Sequence, residues 1–187
     1  PRFLASAFAA GPAFLILLCM VLRRITTFDA GVKAIQALAR IATYAMVANI
    51  FLLLCEVFVT YYAQIPGHMD HFVYLYTGLD GKSGLVGWMW LSVFLMGAGL
   101  IMLLVPSWRK NEPLLAVASI TVFFGIWIDK GLGLISGGFI PSPLHRVTEY
   151  VPTMPELLIS LGVYGIGFFF LTILLKIVVA VRREVGA

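Results

Sequence analysis

The sequence predicts an all-α integral membrane protein, with five transmembrane helices that form all or part of a helical bundle. Of its 187 residues, 61% are apolar and only 12% are charged, whereas a soluble domain carries about 25% charged residues. The mean hydropathy is +1.00. No basic patch is interleaved with aromatic residues, so the net charge of +4 does not indicate nucleic-acid binding.

Five apolar stretches are each long enough to cross a bilayer, which takes roughly 20 residues of helix. The predicted spans are residues 3–22, 37–63, 86–105, 114–135 and 157–181. No internal repeat or linker divides them, so residues 1–187 are predicted to be a single transmembrane domain.

The distribution of basic residues predicts how the spans are oriented. The connections Arg23–Arg40 and Pro106–Pro113 are basic, and the tail carries Arg182 and Arg183, whereas Gln64–Leu85 has a single Lys. Basic connections remain on the cytoplasmic side. The C-terminus is therefore predicted to be cytoplasmic, in a multi-pass protein of the cytoplasmic membrane.

The connection from Asp129 to Glu156 is predicted to face outward and combines charge with broken backbone. It contains four prolines and six ionisable residues between two apolar runs, and such segments usually line a cavity or contact a protein. Four neighbouring polar residues within it are interpreted either as a docking site for a partner subunit or as a polar outer loop. These residues are His145, Arg146, Glu149 and Tyr150.

Glu56 is the strongest single candidate for a functional residue because it lies well inside the second apolar run, where a carboxylate is energetically costly. Asn49 and Thr60 fall on the same helical face and extend a polar stripe, and Asn49 is a further candidate for the proton path or the quinone site. We predict that Glu56 is internal, and that it is either a proton-relay carboxylate or a hydrogen-bond partner for a bound quinone. The alternative is a carboxylate that is protonated or paired for helix packing.

Asp129 and Lys130 end the fourth predicted span. Adjacent side chains on a helix diverge by about 100°, so a mutual ion pair is not expected. They are interpreted as a charge relay or as helix-end charges that extend to water. Glu156 fits a capping box with Thr153 and also begins a polar stripe, so a second role in a proton path stays open.

The sequence offers no catalytic residue, metal site or bound redox centre. No His lies inside a predicted span, so a bis-histidine haem is not expected, and the two cysteines are too few for an iron–sulfur cluster. The three histidines are too dispersed for a metal site.

Three segments resemble the NrfD/polysulfide-reductase membrane-subunit (PsrC) family. Residues 150–176 resemble its last helix, Leu38–Tyr61 resembles its helix with an internal Glu, and Phe3–Gly11 resembles the helix that opens its second half. Members of the family have more than five spans. The resemblance therefore implies that this chain is the C-terminal half of a longer prokaryotic subunit, within the DsrP branch of sulfur metabolism.

The resemblance also implies a function. Such subunits exchange electrons with menaquinone or ubiquinone and belong to menaquinol-linked oxidoreductase complexes. They carry no haem or cluster, and they dock an extracytoplasmic ferredoxin-like iron–sulfur subunit beside other membrane subunits. The second half of these subunits is associated with proton passage, for which Glu56, Asp129 and Glu156 are the candidates. Two alternatives remain: a membrane anchor without a redox role, and an ion or solute transporter.

Overall fold

The computed structural model describes residues 1–26, 28–138, 140, 147, 149 and 152–184. The chain divides into two compact units, Pro1–Glu149 and Tyr150–Ala187. Whether both units form the single predicted domain stays a prediction. The helices are α1 (Arg2–Ile25), α2 (Val32–Ala63), α3 (Pro66–Tyr76), α4 (Val86–Leu104), α5 (Pro106–Lys110), α6 (Glu112–Ile128), the π segment (Asp129–Ser136) and α7 (Met154–Glu184).

Five helices are long and apolar enough to cross a membrane, which confirms the predicted class. They are Arg2–Ile25, Val32–Ala63, Val86–Leu104, Glu112–Ile135 and Met154–Val181. Their limits differ from the predicted ones by a few residues, because helices continue into the polar flanks that a hydropathy pattern excludes. Across the described ranges, the only strand-like pairing is an isolated bridge between Leu79 and Lys82.

The first unit is a bundle of α1, α2, α4 and α6 around a core of small and flexible apolar residues. The buried face of α1 places Ala9 and Ala13 against the core, and α2 contributes Ala39, Ala42 and Met46. Small side chains let helix backbones approach closely where apolar burial cannot drive association, because lipid is equally apolar. The bundle therefore depends on tight helix contacts.

The contact between α4 and α6 is closest at two glycines, Gly99 and Gly125. A Cβ atom added at Gly99 would lie 2.7 Å from Cγ2 of Val122, and one added at Gly125 would lie 3.1 Å from the backbone nitrogen of Met96. Nearby, the Ser92 hydroxyl donates a 2.7 Å hydrogen bond to the carbonyl of Gly125. The two backbones therefore pack without space for a side chain between them.

Replacing Gly99 with Ala is expected to lower the free energy of unfolding by about 1–3 kcal/mol, the usual cost of overpacking. Val122 cannot move away easily, since its branched side chain is stiff at χ1 and its backbone nitrogen would lie 3.3 Å from the new atom. Gly97→Ala is the control, because nothing lies within 4 Å of its Cβ position. Thermal unfolding in detergent checks both variants, and equal midpoints would contradict the close contact.

The connection between α2 and α4 contains a helix and a tight turn that the sequence analysis did not predict. Pro66 opens α3 at a position where proline is well tolerated. Asp80 and Gly81 then adopt φ values of 52° and 75°, the left-handed pair that a two-residue hairpin turn requires. Lys82 donates a 2.5 Å hydrogen bond to the carbonyl of Val147, so this turn is fixed to the segment that follows the π segment.

The fourth span changes its hydrogen-bonding pattern at Asp129, where α6 ends and the π segment begins. The sequence predicts the length of this span but not its wider last turns. Short π segments inside helices are rare and frequently occur at functional sites. Here the change from α- to π-helix falls at Asp129 and Lys130, two of the predicted site residues.

The second unit consists of α7, whose start is capped as the sequence predicts. A carboxylate oxygen of Glu156 accepts hydrogen bonds from the backbone nitrogen of Thr153 at 2.6 Å and from its hydroxyl at 2.7 Å. The Ser160 hydroxyl donates a 2.9 Å hydrogen bond to the Glu156 carbonyl. The carboxylate therefore stabilises the first turn, while its role in a proton path stays a prediction.

Candidate functional site

The first unit contains a charge network in which one guanidinium joins three elements. Arg2, at the start of α1, donates a 2.5 Å hydrogen bond from Nη1 to Oε2 of Glu56 on α2. Its Nη2 donates a 2.6 Å hydrogen bond to Oδ1 of Asp129 in the π segment. Because successive spans run in opposite directions, the start of α1 and the ends of α2 and α6 meet at the same end of the bundle.

The two carboxylates have different environments. The side chain of Asp129 is 4% exposed and that of Arg2 is 15% exposed, whereas Glu56 keeps 45% of its side chain exposed. The expectation that Glu56 is internal is therefore wrong in part: it lies within the span, but its carboxylate reaches an open cavity. The network thus joins a buried acid to an accessible one.

Lys130 completes the network and corrects a second expectation. Its ammonium nitrogen lies 2.9 Å from Oδ2 of Asp129, although the two residues are adjacent. The two Cα–Cβ bonds point in different directions, but the four-carbon side chain of lysine is long and flexible enough to bring the ammonium back to Asp129. The two groups are close enough for an ion pair but are not aligned for a hydrogen bond, because Oδ2 of Asp129 makes no hydrogen bond within the described residues. Two cations therefore neutralise two carboxylates.

The network forms one wall of a cavity of about 520 Å³, within the range of small-molecule sites. The four charged residues line it together with mostly apolar side chains. Further lining residues include Phe72, Leu75, Met89 and Leu134. A mostly apolar cavity with a few convergent polar groups is the usual form of a ligand site.

Two residues of α3 add polar groups to this wall. Nδ1 of His71 lies 3.2 Å from the carbonyl of Ile140, which fixes that nitrogen as the donor. Burial, and next the negative charge of Asp129, raise the pKa of Tyr76 to about 12. The Tyr76 phenol therefore stays protonated at neutral pH and remains a hydrogen-bond donor.

The other predicted site residues do not join this network. Asn49 is fully buried in the middle of α2, where its Nδ2 lies 3.7 Å from the sulfur of Met96, and it is not part of the cavity lining. Glu149 accepts a 2.9 Å hydrogen bond from the backbone nitrogen of Gly84. The remaining three members of its predicted cluster lie outside the described residues: His145, Arg146 and Tyr150.

Sequence reasoning missed Arg2, His71 and Tyr76. Arg2 had a usable signal, because a carboxylate within a span requires a cation, and charged residues in membranes usually pair with one another. The contributions of His71 and Tyr76 depend on how α3 packs over the end of the bundle. No local pattern in the sequence indicates that packing.

Within the ranges that the structure describes, no three His, Cys, Asp or Glu side chains come together in a way that could hold a metal ion. The polar residues that line the cavity are Arg2, Glu56, Asp129, Lys130, Tyr76 and His71. These groups can bind, orient and exchange protons with a ligand in the cavity.

The comparison with known families identifies the chain. A sequence model described as polysulphide reductase, NrfD, matches residues 1–142, a range that includes the whole charge network. The resemblance expected for residues 150–176 falls outside this range and stays a prediction. No curated protein matches the chain. The chain therefore belongs to the NrfD, or polysulphide reductase, family, and it is a membrane subunit of a quinone-linked electron-transfer complex.

Proposed function

We propose that the cavity beside Arg2 binds the headgroup of menaquinone or ubiquinone, and that Glu56 and Asp129 take up the protons released there. The observation that carries this proposal is the shared guanidinium: two carboxylates from different helices hold one Arg2 at the wall of a largely apolar cavity. Ionisable groups that are kept within a membrane usually mark a substrate or proton pathway.

The lining residues fit a quinone. Its ring is flat and apolar and suits the side chains of Phe72, Leu75 and Met89, while its two carbonyl oxygens require hydrogen-bond donors. Lys130 and Tyr76 both line the cavity, and their ammonium and phenol groups are hydrogen-bond donors for such oxygens. A neutral Tyr76 donates without adding charge to the site.

Quinol oxidation supplies two electrons and two protons. The electrons leave for the iron–sulfur subunit of the complex, and the protons need bases. Glu56 is the accessible acceptor, and Asp129 is the buried one, held by Arg2 and Lys130. Protonation of one acid leaves Arg2 paired with the other. The guanidinium therefore stays neutralised when the first proton moves on before the second is taken up.

Asn49 and Glu156 remain proposed elements of the proton path. Oδ1 of Asn49 is buried and has no hydrogen-bond partner within the described residues, which suits a water bound between the helices. Glu156 combines its proposed role with capping of α7.

The finer family assignments also remain proposals. We propose that the chain is the C-terminal half of a subunit of the DsrP branch in sulfur metabolism, and that its C-terminus is cytoplasmic. An extracytoplasmic ferredoxin-like subunit then docks at the end that carries the network. The hairpin turn at Asp80–Gly81 and Glu149 lie at that end, and the predicted cluster of His145, Arg146 and Tyr150 provides further contacts.

A pair of glycine variants tests the cavity. Gly133→Leu is expected to weaken binding of a menaquinone analogue by the purified complex about tenfold, which corresponds to about 1.4 kcal/mol. Gly133 lines the cavity, and its nearest neighbour is the flexible end of Met89, so the new side chain fills space without a backbone clash. Gly131→Leu is the matched control, two residues away in the same segment and outside the lining.

Equal binding by both variants and the unmodified complex would contradict a quinone in this cavity. Loss of the partner subunits on purification of Gly133→Leu, together with no binding of the menaquinone analogue by the unmodified chain alone, would favour the membrane anchor. Solute flux in proteoliposomes without any partner subunit would favour the transporter.

A further inference from the structure

A second, smaller groove lies at the opposite end of the bundle, between the end of α1 and the start of α6. Its volume is about 280 Å³. At its mouth, Arg23 donates a 3.0 Å hydrogen bond from Nη1 to Oε1 of Glu112, and its Nη2 pairs with Oε2. This two-point contact between the guanidinium and the carboxylate links the two helices.

Arg24 lines the same groove but takes no part in that pair. Its side chain is exposed, and within the described residues it forms no ion pair. One face of α1, with Leu17, Met20 and Val21, extends from it as an apolar wall, and Ala116 of α6 forms the other side. A cation at the mouth of an apolar groove therefore lies where a spanning helix leaves the membrane.

The charge at this end of the bundle identifies the class of ligand. Six cationic side chains belong to the elements that meet here, against the two carboxylates Asp29 and Glu112. The cations are Arg23, Arg24, Lys33, Arg40, Arg109 and Lys110. Basic pockets between membrane helices bind anionic lipid headgroups. A free phosphate could bind the cation but has no apolar part to contact the apolar wall, whereas a phospholipid has both.

We propose that this groove binds an anionic phospholipid, with the phosphate on Arg24 and an acyl chain along Leu17, Met20 and Val21. The planar guanidinium of Arg24 suits two-point contact with phosphate oxygens. Arg23 is neutralised by Glu112, so it forms a fixed edge of the groove and leaves Arg24 as the cation that contacts the phosphate. A lipid in this position contacts α1 and α6 together and supports the joint that the Arg23–Glu112 pair forms.

The test uses the full chain in nanodiscs of phosphatidylglycerol and phosphatidylcholine in equal parts, with retained lipids counted by native mass spectrometry. The unmodified chain is expected to retain one phosphatidylglycerol in preference to phosphatidylcholine. Arg24→Gln is expected to reduce that retention about fivefold, as loss of one basic contact to an anionic membrane lipid implies. Lys33→Gln removes a cation at the same end but outside the groove, and it is expected to leave retention unchanged.

Two further arms separate lipid from phosphate. Arg24→Lys keeps the positive charge but removes the planar guanidinium, so an intermediate retention of phosphatidylglycerol is expected. Added inorganic phosphate is expected to leave the bound phosphatidylglycerol in place. Equal retention of the two lipids, equal effects of Arg24→Gln and Lys33→Gln, or ready displacement by phosphate would each overturn the proposal.

Discussion

Replacing Arg2 with Gln is expected to lower the free energy of unfolding by about 3–5 kcal/mol, the cost of removing one partner from a buried ion pair. The loss arises mainly at Asp129, whose side chain is only 4% exposed and would lose its hydrogen bond from the guanidinium. Lys130 would remain at ion-pair distance, but it makes no hydrogen bond to Asp129. The Glu56 side of the pair contributes little, because exposed ion pairs are worth about 0–1 kcal/mol. The effect therefore measures how strongly the buried acid depends on Arg2.

Thermal unfolding of the purified protein in detergent measures this loss. The double variant Arg2→Gln/Asp129→Asn is expected to recover part of it, since it leaves no buried carboxylate without its arginine; the carboxylate that remains, Glu56, is 45% exposed. Arg23→Gln is the matched control: its pair with Glu112 has side chains 34% and 40% exposed, and its loss is expected to be below about 1 kcal/mol. Equal losses for Arg2→Gln and Arg23→Gln would show that the network is not a buried one.

The five spans could be predicted from the sequence because each contains enough consecutive apolar residues to cross a bilayer. It also selected Glu56 and Asp129 on sound grounds, since a carboxylate within or at the end of an apolar run is costly unless something compensates it. Arg2 was missed because a single charge at the start of a span is ordinarily satisfied by water. Pairing across 127 positions of sequence depends on which helix ends meet, and hydropathy does not contain that information.

The two expectations that failed did so for geometric reasons. The prediction that Asp129 and Lys130 form no ion pair considered only the directions of their Cα–Cβ bonds. It neglected the length of the Lys130 side chain, which brings its ammonium back to Asp129. For Glu56, depth within an apolar run was equated with burial, yet a cavity of about 520 Å³ gives its carboxylate access. The π segment and α3 were missed because neither has a pattern that differs locally from an α-helix or a polar loop.

The double variant Glu56→Gln/Asp129→Asn is expected to slow quinol oxidation by the purified complex about a hundredfold, at the lower end of the range for loss of general-base groups. Both replacements keep the shape and the hydrogen-bonding reach of the side chains while removing the ability to accept a proton. Glu112→Gln is the matched control, because it removes the carboxylate of the other arginine pair, at the end of the bundle away from the cavity.

This comparison separates a proton role from a packing role for the same two carboxylates. If they only hold the helices together, their loss is expected to alter assembly and thermal stability while the rate per assembled complex stays unchanged. If they accept protons, assembled complexes are expected to oxidise quinol slowly at an unchanged quinone affinity, since the apolar wall of the cavity remains. An unchanged rate in fully assembled complexes would contradict proton uptake by Glu56 and Asp129, and would leave Arg2 as a structural tie between three helix ends.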